Sequence, residues 1–149
     1  MREALSLACA SVHEGGGPFA ALVVREGVIV GRGTNRVTAS NDPTAHAEIV
    51  AIRDACRTLG SFSLEGCEVY TTCEPCPMCL GALYWARVER IYFSGTRGDA
   101  AAAGFDDERL YRELAAALEE RELPMTPLLP DEGRKPFEDW AEQPDRTSY

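Results

Sequence analysis

Thr44-Ala45-His46-Ala47-Glu48 and Cys73-Glu74-Pro75-Cys76-Pro77-Met78-Cys79 are the two stretches on which the reading of this chain turns. They offer one imidazole, two thiols three residues apart and one acidic side chain close to the imidazole. His46, Cys76 and Cys79 form a three-ligand set for one Zn2+ per chain. Such a set leaves a fourth position for water, whose pKa falls to about 7 on the metal. Glu48 is then an unligated carboxylate beside the metal, placed to move protons.

Each stretch lies at a helix start, and this links the site to the fold. Asn41-Asp42 before Pro43 supplies an N-cap candidate and a proline at the first helical position, so a helix is expected from there to about Leu59, closed by Gly60. Glu74-Pro75 opens a second, running to about Arg87, with Cys76 and Cys79 on one face. His46 and Glu48, two apart, do not share a helical face. In a first turn, however, side chains converge on a ligand lying off the helix end, and a metal in front of two helix N-termini satisfies the spacing. The positive end of the second helix also favours the thiolates that zinc requires. The competing readings of Cys73 are a disulfide with Cys76 or a ligand in place of one of the pair.

Working outward, residues 3 to 13 have helical spacing, with Ala4, Leu5, Ala8, Cys9 and Val12 on one face before Gly15-Gly16-Gly17-Pro18. Phe19–Val24 and Val28–Gly33 are β-rich runs around an Arg25-Glu26-Gly27 hairpin turn. Cys67–Thr72 and Val88–Ser94 are two more strands, and their alternation with helices predicts a parallel portion of the sheet. The class is α/β. After Gly95 an alanine-rich stretch leads to Asp106-Asp107, a capping pair, and a helix from Glu108 to about Glu122. Prolines 124, 127, 130, 136 and 144 break up the remainder, which has no periodicity with which to build a core.

A chain of 149 residues suits one domain, with 45% apolar content for its core. Fifteen basic against twenty-four acidic residues give a net charge of −9, the wrong sign for neutralising phosphates, and Lys135 is the only lysine. A small-molecule substrate is therefore expected, with no nucleic acid and no membrane as partner. Three of the six cysteines crowd into the second motif, which metal binding explains better than a disulfide framework. The compartment is read as reducing and cytoplasmic. Cys9, Cys56 and Cys67 are read as buried small hydrophobes, His13 as a solvated helix end, and Tyr84 and Trp85 as core-like positions. Phe19 reads equally as a core residue or a stacking platform.

His-x-Glu followed by Pro-Cys-x-x-Cys is the spacing of the zinc deaminases. With Asn41–Glu48, Cys73–Gly81, Tyr84-Trp85-Ala86-Arg87 and Ala103-Gly104-Phe105-Asp106-Asp107 in view, the chain resembles bacterial guanine deaminases of the cytidine-deaminase superfamily nearly end to end. It departs from them at Arg36, Arg97 and Gly98. The resemblance implies a three-layer α/β/α sandwich with a central mixed five-stranded sheet. It also implies a deaminase domain over 1–123 and a C-terminal segment, 124–149, that crosses to the partner of a homodimer. Glu48 and Asp107 are then catalytic, and Phe19, Asn35, Ala47, Trp85, Asp107 and the partner's capping Tyr149 are substrate-binding. The activity implied is hydrolysis of guanine to xanthine and ammonia. The alternatives are another aminated heterocycle or nucleoside (guanosine, cytidine, ammeline, a pterin), adenosine in a tRNA anticodon, or a silent zinc-stabilised interaction module.

Overall fold

The computed structural model describes residues 1–148, so Tyr149 and its expected contact lie outside the described residues. Four strands form one mixed sheet in the order β2-β1-β3-β4: β1 is Ala20–Arg25, β2 Val28–Thr34, β3 Cys67–Cys73 and β4 Arg90–Gly95. β1 runs antiparallel to β2 and β3, whereas β3 and β4 are parallel. The β1–β2 turn is the expected hairpin, with Arg25 opposite Val28 and positive φ at both Glu26 and Gly27 (51° and 77°). That is the primed turn whose twist matches paired strands.

The fifth strand is absent among the described residues. Beyond Gly95 the chain enters a helix instead, α5 (Arg97–Ala102), nucleated by a complete capping box at Thr96 and Asp99. A run of four alanines follows the box, and alanine favours helix over strand.

α1 (Arg2–His13) and α3 (Ala47–Leu59) both pack on β1, whose residues Ala20 to Val23 are at most 2% exposed. Alternate residues of β1 therefore find apolar cover on both faces, which is why its sequence is a continuous apolar run. The buried face of α1 is Ala4, Ala8 and Ser11, with Leu5, Cys9 and Val12 exposed. Small side chains rather than large ones face the sheet, so the expected stripe is displaced and Cys9 is not a buried hydrophobe. Cys67 is buried, Cys56 half-buried and His13 exposed.

α3 lies close on β2 by the same device. Ala47, Ala51 and Ala55 are fully buried at successive turns, above Gly31 and Gly33. A Cβ on Gly33 would stand 2.5 Å from the Ala51 backbone nitrogen and closer still to the Ala47 carbonyl; one on Gly31 would stand 2.5 Å from the Ala51 carbonyl. Neither contact can be relieved by a rotamer change, because the obstacle is backbone.

The expected N-cap of α3 is corrected. Asn41 is the left-handed C-cap (φ 50°) of a short helix, α2 (Val37–Ser40). Asp42 accepts from the backbone N–H and hydroxyl of Thr44 (2.8 and 2.7 Å), forming an Asx turn instead of a helix start. The helix opens at His46 and closes, as expected, at Gly60. Likewise α4 is Pro77–Trp85 with Cys76 as N-cap, two residues later than Glu74-Pro75 suggested.

The chain divides into two compact units, Met1–Glu108 and Arg109–Tyr149. In the second unit α6 (Glu108–Ala115) ends earlier than expected, and a helix absent from the sequence reading, α7 (Lys135–Glu142), forms with Pro136 in its first turn. There proline starts a helix rather than breaking one. None of this unit's described residues is buried, and Phe137 (76% exposed) and Leu128 (86%) lie open.

Gly33→Ala is expected to lower stability by about 1–3 kcal/mol, since overpacking against backbone forces α3 from the sheet. Urea unfolding measures this, and a variant as stable as the parent would contradict the packing account.

Candidate metal centre and active site

Two helices begin at one point. His46 is the N-cap of α3 and Cys76 the N-cap of α4, and both have extended backbones (φ/ψ −66°/157° and −65°/166°). Neither side chain caps its own helix. Each is instead turned across the gap toward the other: His46 Nδ1 lies 3.6 Å from Cys76 Sγ and 3.5 Å from Cys79 Sγ. The three ligand atoms all fall within 4.8 Å of one another, the one such group among the described residues.

These separations fit zinc. Bonds of about 2.3 Å to sulfur and about 2.0–2.1 Å to nitrogen at tetrahedral angles put nitrogen about 3.5 Å from each sulfur. The donor set, two thiols and an imidazole at two positive helix ends, also suits the ion chemically. Cys76 is already held as a thiolate, with its pKa lowered to about 4, first because the Cys79 thiol donates to it and then through His46. The same hydrogen bond pushes Cys79 up, and His46's own hydrogen bond with Cys76 raises the imidazole. Cys73 stays outside the group: its thiol is turned to the Thr96 carbonyl at 3.6 Å, and burial pushes it up to about 11.

Glu48, in the first turn of α3, is 7% exposed, and burial raises its carboxyl above the usual range. Its Oε1 accepts from the Thr71 hydroxyl at 3.2 Å. His46 and Glu48 reach one place because His46 is a cap and Glu48 a first-turn residue, as the off-end geometry required.

A cavity of about 560 Å³ opens at this point, lined by His46, Ala47, Glu48, Cys76, Phe19, Asn35 and Asp107 among others. Phe19 packs on the core cluster, lines the cavity and meets Phe105 edge-on at 4.9 Å between ring centres. Asn35 accepts from the Val37 N–H through Oδ1 at 3.2 Å. Asp107 arrives from α5, which stops in a Schellman turn: Phe105 N–H donates to Ala100 and Gly104 N–H to Ala101, both at 2.9 Å, with φ +92° at Gly104. Asp106 accepts from Glu108 N–H at 2.9 Å in an Asx turn just before α6. Both aspartates line the cavity, and burial followed by the charge of Cys76 raises the Asp107 carboxyl.

Trp85 does not occupy the core-like position expected of it. It is the last residue of α4, about 9 Å along the axis from Cys79 at 1.5 Å per residue. It stands 71% exposed beside Tyr84 and Arg87, away from both the cavity and the core. Thr71 and Phe105 were the residues the sequence reading passed over. Phe105 had a signal in the Gly-Phe-Asp-Asp run, whereas Thr71 had none before pairing register was known.

An α/β fold with His, Cys and Cys at two helix starts, and a buried unligated Glu beside them, defines a zinc-dependent hydrolytic deaminase carrying one Zn2+ per chain. Residues 1–95 match the cytidine and deoxycytidylate deaminase zinc-binding region, and the chain belongs to that family. It is 47% identical over 150 residues to the guanine deaminase of Bacillus subtilis, covering 100% of this chain and 96% of that one. The crystal structure of the guanine deaminase from that organism superposes with a TM-score of 0.96, at 48% identity, over 99% and 95% of the two chains. A tRNA-specific adenosine deaminase of Aquifex aeolicus is 46% identical, but over 94 residues, 63% of this chain and 62% of its own. The structure of a guanine deaminase from Nitrosomonas europaea matches with TM-score 0.68 and 38% identity, over 70% of this chain and 62% of its own.

Cys76→Ser and Cys79→Ser are each expected to lose the zinc, while Cys73→Ser keeps about one ion per chain. Metal analysis of the purified variants decides between this ligand set and one that includes Cys73.

Proposed function

We infer that this chain removes the 2-amino group of guanine hydrolytically, giving xanthine and ammonia. The observation that carries the reading is the likeness to a guanine deaminase over the whole chain, whereas likeness to the Aquifex tRNA adenosine deaminase stops at 63% of it. The net charge of −9 also favours a free base over a polynucleotide.

When bound, zinc supplies a Lewis acid that makes water nucleophilic near neutral pH. With the metal in place, Glu48 would carry one proton of the attacking water to the ring nitrogen as the oxygen bonds to C2, and then carry the second, from the resulting hydroxyl, with Asp107 to the departing amino group. Burial supports this role, because a carboxyl with a raised pKa is a competent acid as well as base. Phe19 offers a face on which a planar purine stacks. Asn35, its carbonyl engaged with Val37, offers its amide N–H, and the backbone at Ala47 offers a further hydrogen bond.

The wider assembly belongs to the same reading. α1 on one side of β1 and α3 with α4 on the other make the three-layer sandwich. The C-terminal segment, 124–149, crosses to a second copy, where Tyr149 closes the neighbour's cavity. The exposed Leu128 and Phe137 support such an exchange, since apolar side chains of this size ordinarily find cover. Six free cysteines support the cytoplasm as the compartment, and among the described residues no helix is long and apolar enough to cross a membrane.

The test is ammonia release from guanine, guanosine, adenine, cytosine, cytidine and ammeline by the zinc-loaded protein. Guanine is expected to be turned over fastest, and release only from another compound would reassign the substrate. Glu48→Gln should keep its zinc yet lose about 100-fold or more in kcat, in line with the size of general acid–base effects. Near-normal turnover in that variant would remove Glu48 from the proton path.

A further inference from the structure

The side chains of β3 that face α3 and α4 are Cys67, Val69, Thr71 and Cys73. The first two are fully buried and belong to the apolar core, and Thr71 is only 2% exposed. A hydroxyl in such a row is costly unless it is hydrogen-bonded. Valine has nearly the same shape and is at home in a strand, so packing alone gives no reason for threonine here.

The two adjacent threonines have separate tasks. Thr72, on the opposite face, accepts from the Ala20 N–H at 3.0 Å and so ties β3 to the entry of β1. Thr71 donates to Glu48 Oε1 at 3.2 Å, across 23 positions of sequence. Its backbone is held on both sides, by Ala21 in β1 and Phe93 in β4. Glu48, by contrast, is a long side chain at a helix start, and the hydroxyl is what ties its carboxylate to the sheet.

We propose that Thr71 is a positioning residue: its hydroxyl anchors one oxygen of Glu48 to the middle of the sheet and thereby sets the orientation of the group that moves protons. This rests on the deaminase role of Glu48 proposed above. The gain is in the chemical step rather than in binding, because Thr71 itself does not line the cavity. A misaligned proton carrier slows turnover while stacking and base-edge contacts persist.

The test is the series Thr71→Ser, Thr71→Val and Thr71→Ala, assayed for kcat and KM on guanine and for zinc content. Serine keeps the hydroxyl, valine keeps the shape and alanine keeps neither. Thr71→Ser should stay within about 3-fold of the parent kcat, while Thr71→Val falls about 10-fold or more with KM changed less than about 2-fold, the size of a lost hydrogen bond to a charged group. Zinc should remain at one per chain in all three. A purely packing role predicts the reverse order, with valine near normal and serine impaired, and that result overturns the proposal. Should Thr71→Val not fold, serine against alanine still decides, for both lack the methyl and only one has the hydroxyl; equal kcat in that pair overturns it too. Inactivity of the parent on guanine would instead fail the substrate assignment.

Discussion

Two helix N-termini meet at one point, and the residues that would ordinarily cap them face a metal instead. A helix start leaves backbone N–H groups without partners, which serine, threonine, aspartate or asparagine usually satisfy, at about 1 kcal/mol per cap. Here the cap positions are His46 and Cys76, and neither makes that bond. The two positive helix ends are therefore left facing the same small volume. That volume suits anionic sulfur, and there the Cys79 thiol and His46 hold Cys76 toward its thiolate. Much of the remaining architecture serves to keep the two ends in register.

The sheet does this through small residues. Gly31 and Gly33 allow α3 to lie against β2, and Ala47, Ala51 and Ala55 complete the close approach. β3 and β4 run parallel, with α4 as the crossover between them, so the C-terminal end of β3 delivers the chain directly into Cys76. Ligands at the carboxyl ends of parallel strands follow from such connections. α5 adds the last wall. Its capping box and Schellman turn define both of its ends, and this lets a six-residue helix carry Phe105 and Asp107 to the cavity.

Much of the site was legible because its chemistry is local. A ligand pair three apart and a His-x-Glu run need no tertiary knowledge, and the donor types alone indicated zinc. The helix starts were misplaced by a few residues because cap signals compete. Asp42 is as good an Asx turn as it is an N-cap, and the turn prevails with Thr44 as partner. Trp85, expected at a core-like position, is exposed instead. Hydrophobicity does not report which end of a helix a residue occupies, and α4 puts Trp85 at the far one. Pro136 shows the same ambiguity, as a breaker in composition and a helix opener in place.

The amino-acid sequence by itself determined the ligand set, the carboxylate beside it, the four strands with their alternating helices, and the acidic character that disfavours phosphate. These are properties of residue type and short spacing. Only the tertiary structure decided that Cys73 turns to the Thr96 carbonyl, that Asp106 and Asp107 both reach the cavity, that Phe19 meets Phe105, and that Thr71 reaches Glu48. Each of those depends on strand register and helix placement. A shift of one residue in a strand turns every side chain to the other face, and no local pattern encodes that choice.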